Sequence, residues 1–207
     1  MSQSVFELTD PFGFDRKKRF WDYFDGNSLK SFWHFVNVAG SGSGAMFDGI
    51  DGGYEITTGT SSSDSSAITF NGIRHFSNIA CSCVISGKKV ESANSNQVAG
   101  FSNDLIGNLA RERFWVNNDV NFTNIQLVHA DNDSTSLTAG TTVSGIEDRT
   151  YQLDLFSTYG KMTIDGDFNI AVTTDLPTVK LEPVLRHITR TNGAVKMRYR
   201  YFEAWNT

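Results

Sequence analysis

The sequence contains no run of apolar residues approaching the ~20 needed to cross a bilayer, so a helical membrane span is excluded. Its opening stretch, MSQSVFELTDPFGFDRKKRFW, lacks the apolar centre of a secretory signal, which leads to the expectation of a cytoplasmic protein unless a larger assembly carries it outward. Positive charge is not in excess either. Eighteen Lys and Arg against 23 Asp and Glu leave a net charge of -5, which argues against nucleic acid as the main partner. There are only two cysteines, Cys81 and Cys83. One residue apart on a strand, they share a face, so a disulfide between them would be strained and two thiols are expected. No second pair stands at zinc-finger spacing. The three prolines form no linker, and no composition break or short repeat marks a boundary, which favours one cooperative unit.

What is abundant is aromatic and turn-forming. Sixteen Phe, six Tyr and four Trp supply bulky core groups, and 18 Gly with many Ser, Thr, Asn and Asp supply turns. No segment sustains a 3.6-residue period over three turns. Short β-type segments recur instead at 31–38, 53–58, 67–70, 79–86, 97–102, 111–116, 124–129, 150–157, 161–165, 168–174, 181–186 and 194–204. One helical turn is expected at 103–110. The length of 207 residues suits one large all-β sandwich at 31–207, preceded by a charged and aromatic lead-in at 1–30 that packs on the sandwich or on a neighbour.

The sharpest local signal is KMTIDGDFNIAV, residues 161–172, where Asp165-Gly166 joins two alternating runs and predicts a hairpin with a type I′ turn. Leu176-Pro177 follows, and the proline should end that strand or lie on an edge. Together with the strand at 151–156, the Leu181-Glu-Pro183 segment and a last strand closing on Trp205, this region resembles the C-terminal half of concanavalin A-like lectin/glucanase jelly rolls. That group includes laminin G-like domains and many virus and phage surface proteins. The resemblance covers residues 150–207 well and the first half by composition only, and it implies a two-sheet antiparallel jelly-roll sandwich. In the last strand, alternation places Val195, Met197, Tyr199, Tyr201 and Glu203 on one face and Lys196, Arg198, Arg200, Phe202 and Trp205 mostly on the other.

Glycanases of this fold carry Glu-x-Asp-x-x-Glu on one strand, which supplies two carboxylates at one bond. That motif is absent here, and the adjacent Glu147 and Asp148 would face opposite ways on a strand. Alginate lyases on a related jelly roll use Arg-x-Glu, Gln-x-His and Tyr-Phe-Lys segments. This chain has Arg111-Glu112-Arg113, Gln126-Leu-Val-His129 and Tyr201-Phe202-Glu203 in that order. The extra residue before His129 reverses its face, and Glu203 replaces the cation. His34, His75 and His187 are isolated, as expected of strand or edge residues. The glycines at 40–53 lack the lysine and helix of a phosphate loop.

Two oxygen-rich segments are candidate Ca²⁺ loops: Asn117-Asn118-Asp119 with Asn121, and the preferred Asp131-Asn132-Asp133. Asn and Asp stabilise turns without an ion as well. A saccharide site needs an aromatic face with amide or carboxylate partners. The 111–116 strand places Arg111, Arg113 and Trp115 on one face, and Gln126 on a nearby segment adds an amide. A core tryptophan is the competing explanation for Trp115.

The missing catalytic motifs and the resemblance lead to the expectation of a non-enzymatic structural and recognition module. Its place would be the surface of a phage or virus particle, as a decoration, fibre or tail component contacting capsid or tail proteins. The alternatives are a carbohydrate-binding lectin domain and a jelly-roll polysaccharide lyase. A homo-oligomer, a trimer by analogy with particle-surface proteins, would bury the six aromatic residues at 12–24.

Overall fold

In the computed structural model, residues 19–49, 52–91, 93–103, 112–120, 124–131, 134–142 and 147–207 are described. Among them there is no helix, and fifteen strands, numbered in chain order, form two antiparallel sheets. The eight-stranded sheet runs β13 (Asp167–Val172), β12 (Gly160–Ile164), β11 (Arg149–Phe156), β6 (Ala80–Lys89), β15 (Lys196–Asn206), β4 (Tyr54–Thr58) and β3 (Gly42–Met46), with β1 (Arg19–Asp22) paired onto β15. The seven-stranded sheet runs β10 (Ser134–Thr142), β9 (Asn124–Asp131), β8 (Arg113–Asp119), β7 (Ser95–Ser102), β14 (Glu182–Thr189), β5 (Ser65–Thr69) and β2 (His34–Ala39). All twelve strand segments read from the sequence appear, together with β1, β3 and β10. The helical turn expected at 103–110 falls almost wholly outside the described residues.

Alternation decides what each sheet buries. Ile56, Ile85, Phe101, Phe114, Leu127, Leu153, Leu185 and Met197 face inward and form one core between the sheets. Cys81 and Cys83 lie there as free, buried thiols, and burial pushes both up from the ordinary thiol range. One end of the core is an aromatic cluster in which Trp33 meets Phe70 and Phe202 edge-on at ring distances of 5.0 Å. Phe20 meets Phe70 and Phe76 there at 5.3 and 5.6 Å.

The lead-in segment is tied down by specific bonds. Asp22, 2% exposed, accepts from the Trp33 indole N–H at 3.1 Å and pairs with Lys30 at 2.9 Å. Phe20 and Phe24 are buried in the sandwich's own core, so these two rings need no partner subunit; Phe12 and Phe14 lie outside the described residues.

The predicted hairpin forms. Asp165 (φ 52°) and Gly166 (φ 90°) take the two left-handed positions of a type I′ turn between β12 and β13. The last strand departs from simple alternation. A bulge between Tyr199 and Tyr201, where β15 pairs with β6, inserts a residue and exchanges the faces beyond it. Met197 and Tyr199 point into the core as expected, but past the bulge Phe202 and Ala204 do so, and Tyr201 and Trp205 are only half-buried.

Candidate functional site

The outer face of the seven-stranded sheet concentrates the candidate residues. On β8 the alternation that turns Phe114 and Val116 into the core turns Arg113, Trp115, Asn117 and Asp119 outward. Registration with the neighbouring strands builds rows across this face. Trp115 lies opposite Val128 and Gly100, and Gly100 opposite Val184. Asn117 lies opposite Gln126 and Val98, and Val98 opposite Arg186. Val98, Trp115, Val128, Val184 and Ala67 form a small apolar cluster separate from the main core. Gly100 is required in this row: at φ +149° a Cβ would stand 2.6 Å from the carbonyl oxygen of Phe114.

The polar groups surround that apolar floor. The Arg113 guanidinium sits over the Trp115 ring at 5.4 Å, a cation–π contact. Because Trp115 is only 5% exposed beneath it, a ligand meets the Arg113–Trp115 pair and not a bare indole. Asn117 Nδ2 donates to Gln126 Oε1 at 3.0 Å, which fixes the orientation of both amides. Arg186 Nη2 donates to Ser65 Oγ at 2.9 Å, while its Nε has no acceptor among the described residues. Burial lowers the Arg186 pKa to about 10, and the like charges of Arg190 and Arg113 add to that. Burial also lowers that of Arg113. Arg190 pairs with Asp119, which is fully buried. At the other end of the face, Glu182 Oε2 accepts from the Gly72 N–H at 2.9 Å.

Behind this face, in the sandwich interior, lies a second polar layer. Lys89 donates to Asn118 Oδ1 at 3.2 Å, and Asn118 Nδ2 donates to the Tyr151 hydroxyl at 3.1 Å. The Tyr151 hydroxyl in turn donates to Gln97 Oε1 at 3.4 Å. His187, fully buried, has its pKa driven down to about 3 by desolvation, with the Lys89 charge acting in the same direction.

Of the residues read from the sequence as a ligand site, Arg113, Trp115 and Gln126 share this face, and Arg111 lies outside the described residues. Arg186 and Arg190 join them from β14 and its end. Their outward parity with Val184 and Ile188 was the available signal, but nothing local shows that β14 lies two strands from β8, across β7. Among the described residues, the Glu112, His129 and Tyr201–Glu203 members of the three segments weighed for a lyase do not converge. Glu112 anchors Thr178, accepting from its hydroxyl at 2.7 Å, and His129 bonds the Thr174 carbonyl at 2.9 Å from the inner side of β9. Tyr201 and Glu203 bond each other on the other sheet.

The candidate Ca²⁺ loop at 117–119 is corrected: these residues continue β8 in register with Val98, Gln97 and Asn96. Asn118 therefore faces the interior while Asn117 and Asp119 face outward, and the three cannot share one ion. Asn121 of the first loop lies outside the described residues; in the second loop Asp131 ends β9, and Asn132 and Asp133 lie outside them. Among the described residues no group of three His, Cys, Asp or Glu is placed to hold a metal.

No family model matches the chain, and no curated protein sequence does. Solved structures match along nearly its whole length. A prokaryotic β-1,3-1,4-glucanase (lichenase) derived from a mouse hindgut metagenome is 13% identical with a TM-score of 0.61, covering 91% of this chain and 98% of the other. The Crh5 transglycosylase is 16% identical with a TM-score of 0.62, covering 91% and 84%. The carbohydrate recognition domain of Emp47p is 9% identical with a TM-score of 0.59, covering 91% and 94%. The chain therefore has the concanavalin A-like jelly-roll fold. The expectation of a non-enzymatic particle component is overturned by these neighbours, which are two carbohydrate-active enzymes and a carbohydrate recognition domain, with no virus or phage protein among them.

Proposed function

We propose that this chain is a carbohydrate-active domain that holds a glycan across the outer face of the seven-stranded sheet. The observation that carries the reading is the outward row Arg113, Trp115 and Asn117 on β8, with Gln126 and Arg186 beside it. Sugar rings pair apolar C–H faces with hydroxyl edges, and this face sets an aromatic and valine floor among amide and guanidinium donors. The neighbours of the same fold that act on or recognise carbohydrate support it.

Titration calorimetry against soluble β-glucan, galactan, chitooligosaccharide and polyuronate tests the proposal. At least one should bind, and Trp115→Ala, which removes the ring that carries Arg113, should weaken that binding about tenfold or more. Absence of binding across the panel, or binding indifferent to Trp115→Ala, would refute it.

A second reading adds cleavage or transfer of the bound glycan. It is favoured by the glucanase and transglycosylase among the neighbours and by two outward carboxylates, Asp119 and Glu182, on either side of the Trp115 row. Appearance of new reducing ends or transfer products on the same panel, lost in Glu182→Gln with binding retained, would establish it. An unchanged polymer length after prolonged incubation would remove it.

A further inference from the structure

Arg186 is an anomaly for a partly buried cation. Among the described residues its side chain makes one hydrogen bond, to a neutral serine hydroxyl, and its buried Nε has no acceptor. Arg190 and Arg113, both of its own sign, act with burial to lower its pKa. A desolvated cation is ordinarily matched by a carboxylate, as Asp119 matches Arg190 on this face. The carboxylates that share the face are engaged elsewhere: Asp119 with Arg190, and Glu182 with the Gly72 N–H. On β7, the strand paired with β14, Asn96 Oδ1 opposite Ile188 and Ser102 Oγ opposite Glu182 are also buried without a hydrogen-bond partner among the described residues. In a chain of net charge -5, three guanidinium groups gathered around an apolar floor are a local reversal of sign.

From this geometry we infer that the glycan is anionic and that Arg186 binds its carboxylate or sulfate groups. The inference rests on the glycan-binding reading above and narrows it. A planar guanidinium offers paired donors that match the two oxygens of a carboxylate or sulfate. Arg113 and Arg190 flank that position, and the Arg113–Trp115 pair, held on the Val98–Val184 floor, meets the sugar ring. Such an anion supplies the counter-charge that the protein itself withholds from Arg186.

The test is titration of the protein with polygalacturonate, dextran sulfate and neutral dextran or β-glucan, at low and high salt. A carboxylated or sulfated polymer should bind at least about tenfold more tightly than the neutral ones, with the preference eroded by salt. The first two polymers separate carboxylate from sulfate recognition. Arg186→Gln should abolish the preference, and Arg113→Gln should reduce it. Lys161→Gln, an equal loss of charge on the other sheet, should leave it intact, and thermal melts of all three variants would show that each is folded. Equal binding of neutral and anionic polymers, or a preference unchanged in Arg186→Gln, would overturn the inference while leaving glycan binding in place. Failure of every polymer to bind would overturn both.

Discussion

On the eight-stranded sheet, Arg198 and Lys196 both reach Glu55, at 2.8 and 3.1 Å, Lys161 reaches Asp154 at 3.2 Å, and Arg200 reaches Asp148 at 3.0 Å. Burial alone would raise the Glu55 pKa, but the hydrogen bonds from Arg198 and Lys196 outweigh it and hold it below its usual value. On the seven-stranded sheet, Arg113 lies over an indole, Arg190 takes Asp119, and the Arg186 side chain, among the described residues, meets a serine hydroxyl. The first pattern is that of a surface facing water, where these cations meet carboxylates within the fold. The second leaves Arg186 without a carboxylate among the described residues, and that separates a scaffold face from a binding face more clearly than hydrophobicity does.

The largest expected effect of a substitution at neutral pH comes from breaking the Arg190–Asp119 pair on the binding side. Asp119→Asn should lower stability by about 3 kcal/mol in denaturant unfolding, because it leaves Arg190 beside a buried neutral amide. The next effect is a pH dependence seated on β14, one residue from Arg186. The fold keeps His187 neutral down to about pH 3, whereas the unfolded chain protonates near pH 6.5. The stabilisation is therefore complete above pH 6.5 and lost as the pH falls toward 3, at up to about 1.4 kcal/mol per pH unit. Unfolding curves across that range should show the slope, and His187→Asn should flatten it.

Smaller and opposite in sign is Arg186→Met. Replacing an unmatched, desolvated cation by an apolar side chain of similar length should leave stability unchanged or raise it by about 1 kcal/mol, while glycan affinity falls. A clear loss of stability would mean that the fold itself requires the guanidinium, and the contrast between the faces would fail. The smallest effect belongs to the scaffold face: Glu55→Gln should cost less than about 1 kcal/mol and leave binding untouched.

Strand positions were legible where apolar residues alternate, as in 150–157 and 161–172. They were hidden where composition is against them. Gly42–Met46 has almost no β-forming side chains, Ser134–Thr142 is mostly Ser, Thr and Gly, and Asn117–Asp119 looks like a turn. Each is held by ladder bonds to a neighbouring strand, a tertiary effect that local propensity does not carry. The bulge in β15 was equally invisible, because one unpaired residue is fixed by the partner strand's register and not by its own identity. For the site, the shared face of Arg113 and Trp115 followed from period-two alternation alone. Arg186 required knowing that β7 lies between β8 and β14, a neighbour relation that joins segments some 70 residues apart.

The central claim, that a glycan lies on the outer face of the seven-stranded sheet, is met most directly by a crystal structure of the protein soaked with a binding oligosaccharide. The expected result is a sugar chain crossing β7, β8 and β14, with direct contacts to the Arg113–Trp115 pair and an acidic group on Arg186. A sugar bound to the eight-stranded sheet or at the ends of the sandwich, with Arg113 and Arg186 untouched, would contradict the claim.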